Sequence, residues 1–454
     1  MKKPWVFICA LFLGLLLHVP PAPLALEVSE RDNPVIFVLH DSAQPIVKVT
    51  ILARDQGLLN FPLEQEGRSN LVIFMIGEIL KEQVTELWYN DLINELSYHT
   101  NSQGLWISFL TKKESVAHAL SRLHKLLLPG FKDQRRFRVL KDSWLSAYFQ
   151  AEQADPLQFL SGKWFRQAFP QDERGVMYGT TDSIEGFNLE DFDSLWSQLL
   201  TANNLIYAFS GDLTLAQAKK LVHDFQKTLP PIPAQPVPNP QSPPLLQGKT
   251  KVYKMERPQC DIFFAHQGLK KNHPDYYTFL VLQAILGGNS YTSRLYTKLR
   301  DELGIVYALS FSPASDTMSL MGFFSTANET ADLALQAVRE VFQTFKEKGV
   351  SKTEFMQAKN QVIGSHVSQL TNLGGINKTL INNYLDEIPN QNFINDFIQK
   401  VDKVTLEELN QFARKFLEPS SIDFLIMGKP VLSGPKQSER LLDQSGKSGA
   451  VGED

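Results

Sequence analysis

Leu205-Ile206-Tyr207-Ala208-Phe209-Ser210-Gly211 and Ile422-Asp423-Phe424-Leu425-Ile426-Met427-Gly428 are two apolar runs that both close on glycine, 217 positions apart. Upstream of the first stands Asn188-Leu189-Glu190-Asp191-Phe192; upstream of the second, at the same spacing of 217, stands Thr405-Leu406-Glu407-Glu408-Leu409. Each pentapeptide reads as a helix N-cap with an acid three residues on, and each leads through an amphipathic helix into the apolar strand. Chance rarely preserves one offset across a helix and a strand, so the chain is read as a duplication giving two like-folded halves.

Between the repeats lies PPIPAQPVPNPQSPP, Pro230 to Pro244, with eight prolines in fifteen residues. Such a run can neither pair in a sheet nor continue a helix, and it favours extended polyproline geometry. At ~3.1 Å per residue it reaches ~45 Å, enough to carry the chain across one domain. The expected boundaries are therefore 26–229 for the first half, 230–248 for the linker and 249–430 for the second half. Residues 431–454, rich in Gly, Ser and charge, read as a disordered tail.

Within each half, strands come first, then helices, then a closing strand. In the first half Val35–His40 and Ile46–Ala53 alternate as strands, Asn70–Glu82 is a helix, a strand pair spans Leu96–Leu110, and helical patterns run from Glu114 to Phe169. In the second half strands at Lys251–Met255 and Asp261–His266 precede helices at Pro274–Leu286 and Thr292–Leu303. A strand pair at Ile305–Ser325 and long helices from Ala331 to Lys415 follow. Runs of strands and runs of helices argue an α+β fold, each half a mostly antiparallel sheet packed with helices.

At the N-terminus, Met1-Lys2-Lys3, the apolar run Trp5–Leu17 and the small, proline-broken Pro20–Ala25 form the pattern of a secretory signal peptide ending at Ala25. An uncleaved anchor is the alternative; the run is shorter than the ~20 apolar residues of a spanning helix, and no later stretch is apolar enough to cross a membrane. The expected location is the periplasm. Of the two cysteines, Cys9 leaves with the leader and Cys260 stands alone, which excludes a disulfide framework. Lys+Arg 45 against Asp+Glu 49, a formal net charge of −4, gives no basic field for nucleic acid.

The nine histidines include no H-E-x-x-H or H-x-x-E-H pair, and His118 and His124, six apart, do not share a helix face. A catalytic zinc takes two such histidines on one face plus a carboxylate. No phosphate loop of Walker type and no G-x-S-x-G elbow occurs; Gly287-Gly288-Asn289-Ser290, taken alone, is a helix C-cap.

GGNSYTSRLYTKLRDELGIVYALSFSP, Gly287 to Pro313, resembles the second-half signature of the insulinase-like (pitrilysin) zinc peptidases. There a Gly-rich turn leads into an S-R-L helix, and an Arg stands seven residues before a Tyr; here these are Arg300 and Tyr307. Around the family's zinc helix, Glu66-Gly67-Arg68-Ser69-Asn70-Leu71-Val72-Ile73-Phe74-Met75 aligns on E-G-x-x-H-x-x-E-H-x. Tyr178-Gly179-Thr180 and Gly211-Asp212 extend the resemblance over most of Pro34 to Pro430.

The resemblance implies a clamshell metallopeptidase-like fold of the bacterial processing-peptidase type. It places Asn70, Ile73 and Phe74 where the first His, the general-base Glu and the second His would stand; even with Asp142 at the position of the acidic ligand, one carboxylate and an amide make no zinc site. Ile73 and Phe74 can neither bind zinc nor activate water, so no cofactor and no catalytic residue are expected on this chain alone. Arg300 and Tyr307 would grip substrate, the phenol donating to a developing oxyanion and the guanidinium fixing a carbonyl or carboxylate. The implied function is the non-metal, substrate-binding subunit of a periplasmic heterodimeric zinc metallopeptidase acting on short unfolded peptides. Zinc would sit on an H-x-x-E-H paralogue as partner. A non-enzymatic peptide-binding or scaffold protein on the same fold is the alternative.

Overall fold

The computed structural model describes residues 25–29, 34–54, 67–89, 94–101, 103–128, 131–170, 179, 181–201, 204–229, 243–288, 291–314, 317–390 and 392–432. The expected leader to residue 24, linker residues 230–242, the tail from 433, and Glu66, Tyr178, Thr180, Asn289 and Ser290 lie outside them.

The first half comprises β1 (Ala25–Ser29), β2 (Val35–His40), β3 (Ile46–Arg54), α1 (Arg68–Tyr89), β4 (Asn94–Asn101), β5 (Gly104–Lys112), α2 (Val116–Leu127), α3 (Gln134–Ala154), α4 (Pro156–Ala168), α5 (Thr181–Glu185), α6 (Leu189–Leu199), β6 (Leu205–Gly211) and α7 (Leu215–Gln226). The second comprises β7 (Thr250–Lys254), β8 (Gln259–Gln267), α8 (Tyr276–Gly287), α9 (Arg294–Tyr296), β9 (Leu309–Ala314), β10 (Ser319–Ala327), α10 (Ala331–Lys348), α11 (Lys352–Gln369), α12 (Leu373–Leu385), α13 (Phe393–Lys403), α14 (Leu406–Phe416) and β11 (Asp423–Gly428).

The strand orders repeat: β2-β6-β3-β5-β4 in one sheet and β7-β11-β8-β10-β9 in the other, with β1 an added edge on the first. Only β2–β6 and β7–β11 run parallel; the remaining pairs are antiparallel, as expected for this α+β fold. The repeated N-caps are capping boxes, Asn188 with Asp191 and Thr405 with Glu408. Each satisfies two helix-end N–H groups and fixes where the helix preceding the closing strand begins.

β6 and β11 carry apolar residues on both faces, and the structure shows why. Leu205, Tyr207 and Phe209 face the helices of their own half, while Ile206 and Ala208 face the other way, against Ile376, Leu380 and Ile381 of α12. In the second sheet Phe424 and Ile426 face their own half. Leu425 and Met427 meet Phe159, Leu160 and Trp164 of α4. The halves therefore exchange helices: α4 covers the second sheet and α12 the first. The exchanged helices are themselves repeats, Pro156 and Leu373 at their starts standing 217 apart.

Each exchanged helix is also tied by a buried polar group. Trp164 Nε1 donates to Asp423 Oδ2 at 3.2 Å, and the backbone N–H groups of Gln247 and Lys249 donate to Asp423 Oδ1 at 3.0 and 3.3 Å. The described end of the linker is thereby fastened beside α4. Burial pushes the Asp423 carboxyl up, against the pull of those donors. On the other side Asn377 of α12 donates from Nδ2 to the carbonyls of Lys48 and Ala208, both at 3.0 Å, and accepts from Ser210 Oγ at 2.6 Å.

Two histidines are core groups. His266 is 1% exposed, its Nδ1 facing the Gln267 carbonyl at 2.9 Å and its Nε2 accepting from the Glu418 N–H at 3.1 Å. Burial pushes its pKa down to about 4. His124 stacks on Phe225 with Nε2 3.2 Å from Tyr207 Oη, and burial lowers it to about 3.

Two outcomes are expected. Asn377→Ala strands several buried polar groups at once, and urea unfolding should lose about 2–4 kcal/mol; a loss under ~0.5 kcal/mol contradicts the helix-exchange account. Both histidines are depressed below their unfolded value near 6.5, so the unfolded chain binds more protons as pH falls. Stability should therefore drop between pH 6.5 and about 4, by roughly 2 kcal/mol per histidine, and His266→Gln should flatten part of that dependence. Equal urea midpoints for the wild type at pH 7 and 4.5 would contradict the assignment.

Candidate functional site

The helix that begins at Arg294 changes hydrogen-bond register to a π-helix over Thr297–Glu302, a feature frequent at functional sites. Gly304 then ends it in the left-handed conformation at φ 64°, its N–H bonded to the Arg300 carbonyl, a conformation that glycine adopts without strain. The returning chain is anchored. Val306 is buried, and the Ile305 carbonyl accepts from Thr326 Oγ1 at 2.8 Å. Tyr307 follows in this connection, two residues before β9 begins, and not at a strand start as the sequence reading has it. The strand-forming pattern is interrupted there because Ile305 and Val306 spend their N–H groups on the Leu299 carbonyl.

This return brings Arg300 and Tyr307 together, the guanidinium carbon 5.1 Å from the Tyr307 ring centre. Two further rings surround the same cation: Tyr296 at 4.9 Å and Tyr291 at 5.9 Å, packed edge-to-face on each other at 5.1 Å. Neither tyrosine was singled out in the sequence. The four-residue spacing of Tyr296 and Arg300 on a helix was the available signal; Tyr291 offers none, being placed by the turn before the helix.

The two arginines of this segment have different fates. Arg294 is locked, its Nε and Nη2 donating to the two Glu354 oxygens at 2.9 and 3.1 Å and Nη2 also to the Gly349 carbonyl. Burial pushes the Glu354 carboxyl up, but the Arg294 and Ser351 hydrogen bonds outweigh it and hold the group below its usual value. Arg300, among the described residues, has neither an ion pair nor a side-chain hydrogen bond. Tyr307 is 83% exposed. The pair is thus held by geometry while its donors stay available.

The zinc-helix positions present the opposite picture. On α1, Asn70 and Ile73 are buried, Ile73 within the first-half core. Phe74 lies against the Trp144 ring at 5.1 Å. Asp142 is exposed on α3, and it is Trp144, two residues on, that covers Phe74. The ring facing Phe74 from α3 is thus an indole, with the Asp142 carboxylate on the exposed side. Arg68 further fastens the start of α1, donating to the Ser183 carbonyl at 3.0 Å and pairing with Asp191. An amide, an aliphatic side chain and a phenyl ring supply neither the ligands nor the base of a zinc hydrolase. The residues present do not fit the metal.

Comparison with known proteins agrees. Residues 186–362 match the model of the peptidase M16 inactive domain. The chain is 24% identical over 439 residues to the non-peptidase homolog YmxG of Helicobacter pylori, covering 94% of this chain and 98% of that one. Its fold matches the peptidase M16 inactive domain structure from Pseudomonas fluorescens with a TM-score of 0.77 at 17% identity, over 91% of this chain and all of that one. A chain of complex III2 from Candida albicans matches with a TM-score of 0.67 at 17% identity, over 89% of this chain and 96% of that one. Residues 186–362 thus resemble the peptidase M16 inactive domain, and over nearly its whole length the chain is similar to a non-peptidase homologue, in keeping with the Arg300/Tyr307 signature and the buried Ile73 of α1.

Proposed function

We propose that this chain is the non-metal, substrate-binding subunit of a periplasmic heterodimeric zinc metallopeptidase. One observation carries the reading: Arg300 and Tyr307 are positioned side by side with their donors unspent, on a chain whose own zinc helix is packed with Ile73, Phe74 and Trp144. A gripping pair without a local catalyst makes chemical sense when another chain brings the metal. That partner is an H-x-x-E-H paralogue, and the two chains close over a short unfolded peptide that adds as a strand to a sheet edge. The basic start, apolar run and small-residue segment before Ala25 support export to the periplasm.

The fold likeness to a chain of complex III2 favours a second reading, a scaffold without peptidase function. An adjacent gene for an H-x-x-E-H paralogue argues for the first; absence of any such paralogue argues for the second.

Two measurements separate them. Metal analysis of the purified chain should find well under one zinc per chain, and chelation should leave both its melting temperature and its lack of peptidase activity unchanged. One tightly held zinc supporting turnover would overturn the reading. Co-expression with the paralogue should give a complex more active than either chain, in which Tyr307→Phe lowers kcat by about 10²–10³ and Arg300→Lys restores only part of what Arg300→Ala loses. No association at micromolar concentration, or full activity of both variants in an intact complex, sinks it.

A further inference from the structure

The three tyrosines around Arg300 define more than a positioned cation. Tyr291 and Tyr307 are 74% and 83% exposed, the most exposed of the large apolar side chains among the described residues. They stand at 5.9 and 5.1 Å from a guanidinium that Tyr296, at 4.9 Å, also flanks. A guanidinium presents five N–H donors in a planar fork that matches a carboxylate in two parallel bonds. Stacking against aromatic rings holds the plane and leaves that fork at the edge. Arg294, six residues earlier, has its fork filled by the Glu354 carboxylate, whereas among the described residues no acid fills the fork of Arg300.

A ligand that completes the site therefore brings a carboxylate with an apolar surface directly beside it. A peptide carbonyl within a chain accepts from the fork but leaves the positive charge uncompensated. A free C-terminus supplies the anion, and the last side chain supplies the surface that meets the exposed rings. Resting on the reading of Arg300 and Tyr307 as a substrate-binding pair, we propose that this site recognises the free C-terminal carboxylate of a peptide ending in a large apolar residue. Tyr291 is then a specificity-determining residue that packs on that last side chain.

The test is fluorescence anisotropy of the full chain, alone, with short labelled peptides ending in Phe or Gly, each as free acid and as amide. The charge-assisted pair is partly solvent-exposed, so amidation of the Phe-ended peptide should weaken binding by about 10-fold. Arg300→Lys should remove most of the acid-over-amide preference. Tyr291→Ala should weaken the Phe-ended acid several-fold and the Gly-ended acid little, with an unchanged melting temperature showing that the fold is intact. Equal binding of acid and amide, equal losses by Tyr291→Ala for both peptides, or no binding at millimolar peptide would overturn the proposal. So would an amide carrying an internal Glu that binds as tightly as the acid. The assay needs neither partner nor turnover, so failure to find a zinc-bearing chain leaves its result standing, and the reverse holds as well.

Discussion

Reciprocal exchange of one helix between two sheets is the constraint on which the rest of this molecule depends. Each sheet has one face covered by its own half, and without the exchange the other face would leave side chains such as Phe37, Trp106 and Ile206, or Phe263, Leu425 and Met427, in water. Burying a side chain of this size is worth roughly 1.5–3 kcal/mol, so neither half holds a closed core alone. The polar ties at Asp423 and Asn377 add direction to a packing that hydrophobic contact alone would leave free to slide. The two ties are chemically different, a carboxylate under an indole and an amide between two carbonyls. Duplication therefore preserved the architecture while each interface found its own solution.

The functional site inherits its precision from that rigid body. Arg300 and Tyr307 are separated by a π-helical turn and a glycine-ended reversal, both tied to the second-half core through Val306 and Thr326. A pair held in this way loses little side-chain freedom when a ligand arrives, which is how preorganisation raises affinity. In the first half the same architecture has been put to another use. Where a zinc helix needs two imidazoles and a base, α1 has become a core helix, and its stability derives from hydrocarbon contact.

Much of this was legible in the sequence. The constant offset of 217 carries the duplication because it holds for α6 and β6 alike against their counterparts α14 and β11. The capping boxes were readable because their chemistry is local, Asn188 with Asp191 and Thr405 with Glu408. The apolar runs of β6 and β11 were legible as strands. What covers their second faces was not legible: α4 and α12 are ordinary amphipathic helices in sequence, and only tertiary packing assigns each to the other half. Tyr291 and the position of Tyr307 before β9 escaped for a related reason, since turn geometry decides them. Whether Asp142 faces α1 was not legible either, because a carboxylate one or two positions off the packed face of α3 looks the same in a string of letters as one aimed at α1.

The proposed function requires that the exposed Tyr307 meet another chain, and one measurement addresses it directly. A photo-crosslinking residue, p-benzoylphenylalanine, placed at position 307 and irradiated in cells that express the H-x-x-E-H paralogue should yield an adduct with that paralogue or with peptide captured between the two. Adducts confined to the chain itself, or none with the paralogue present in excess, would contradict the account.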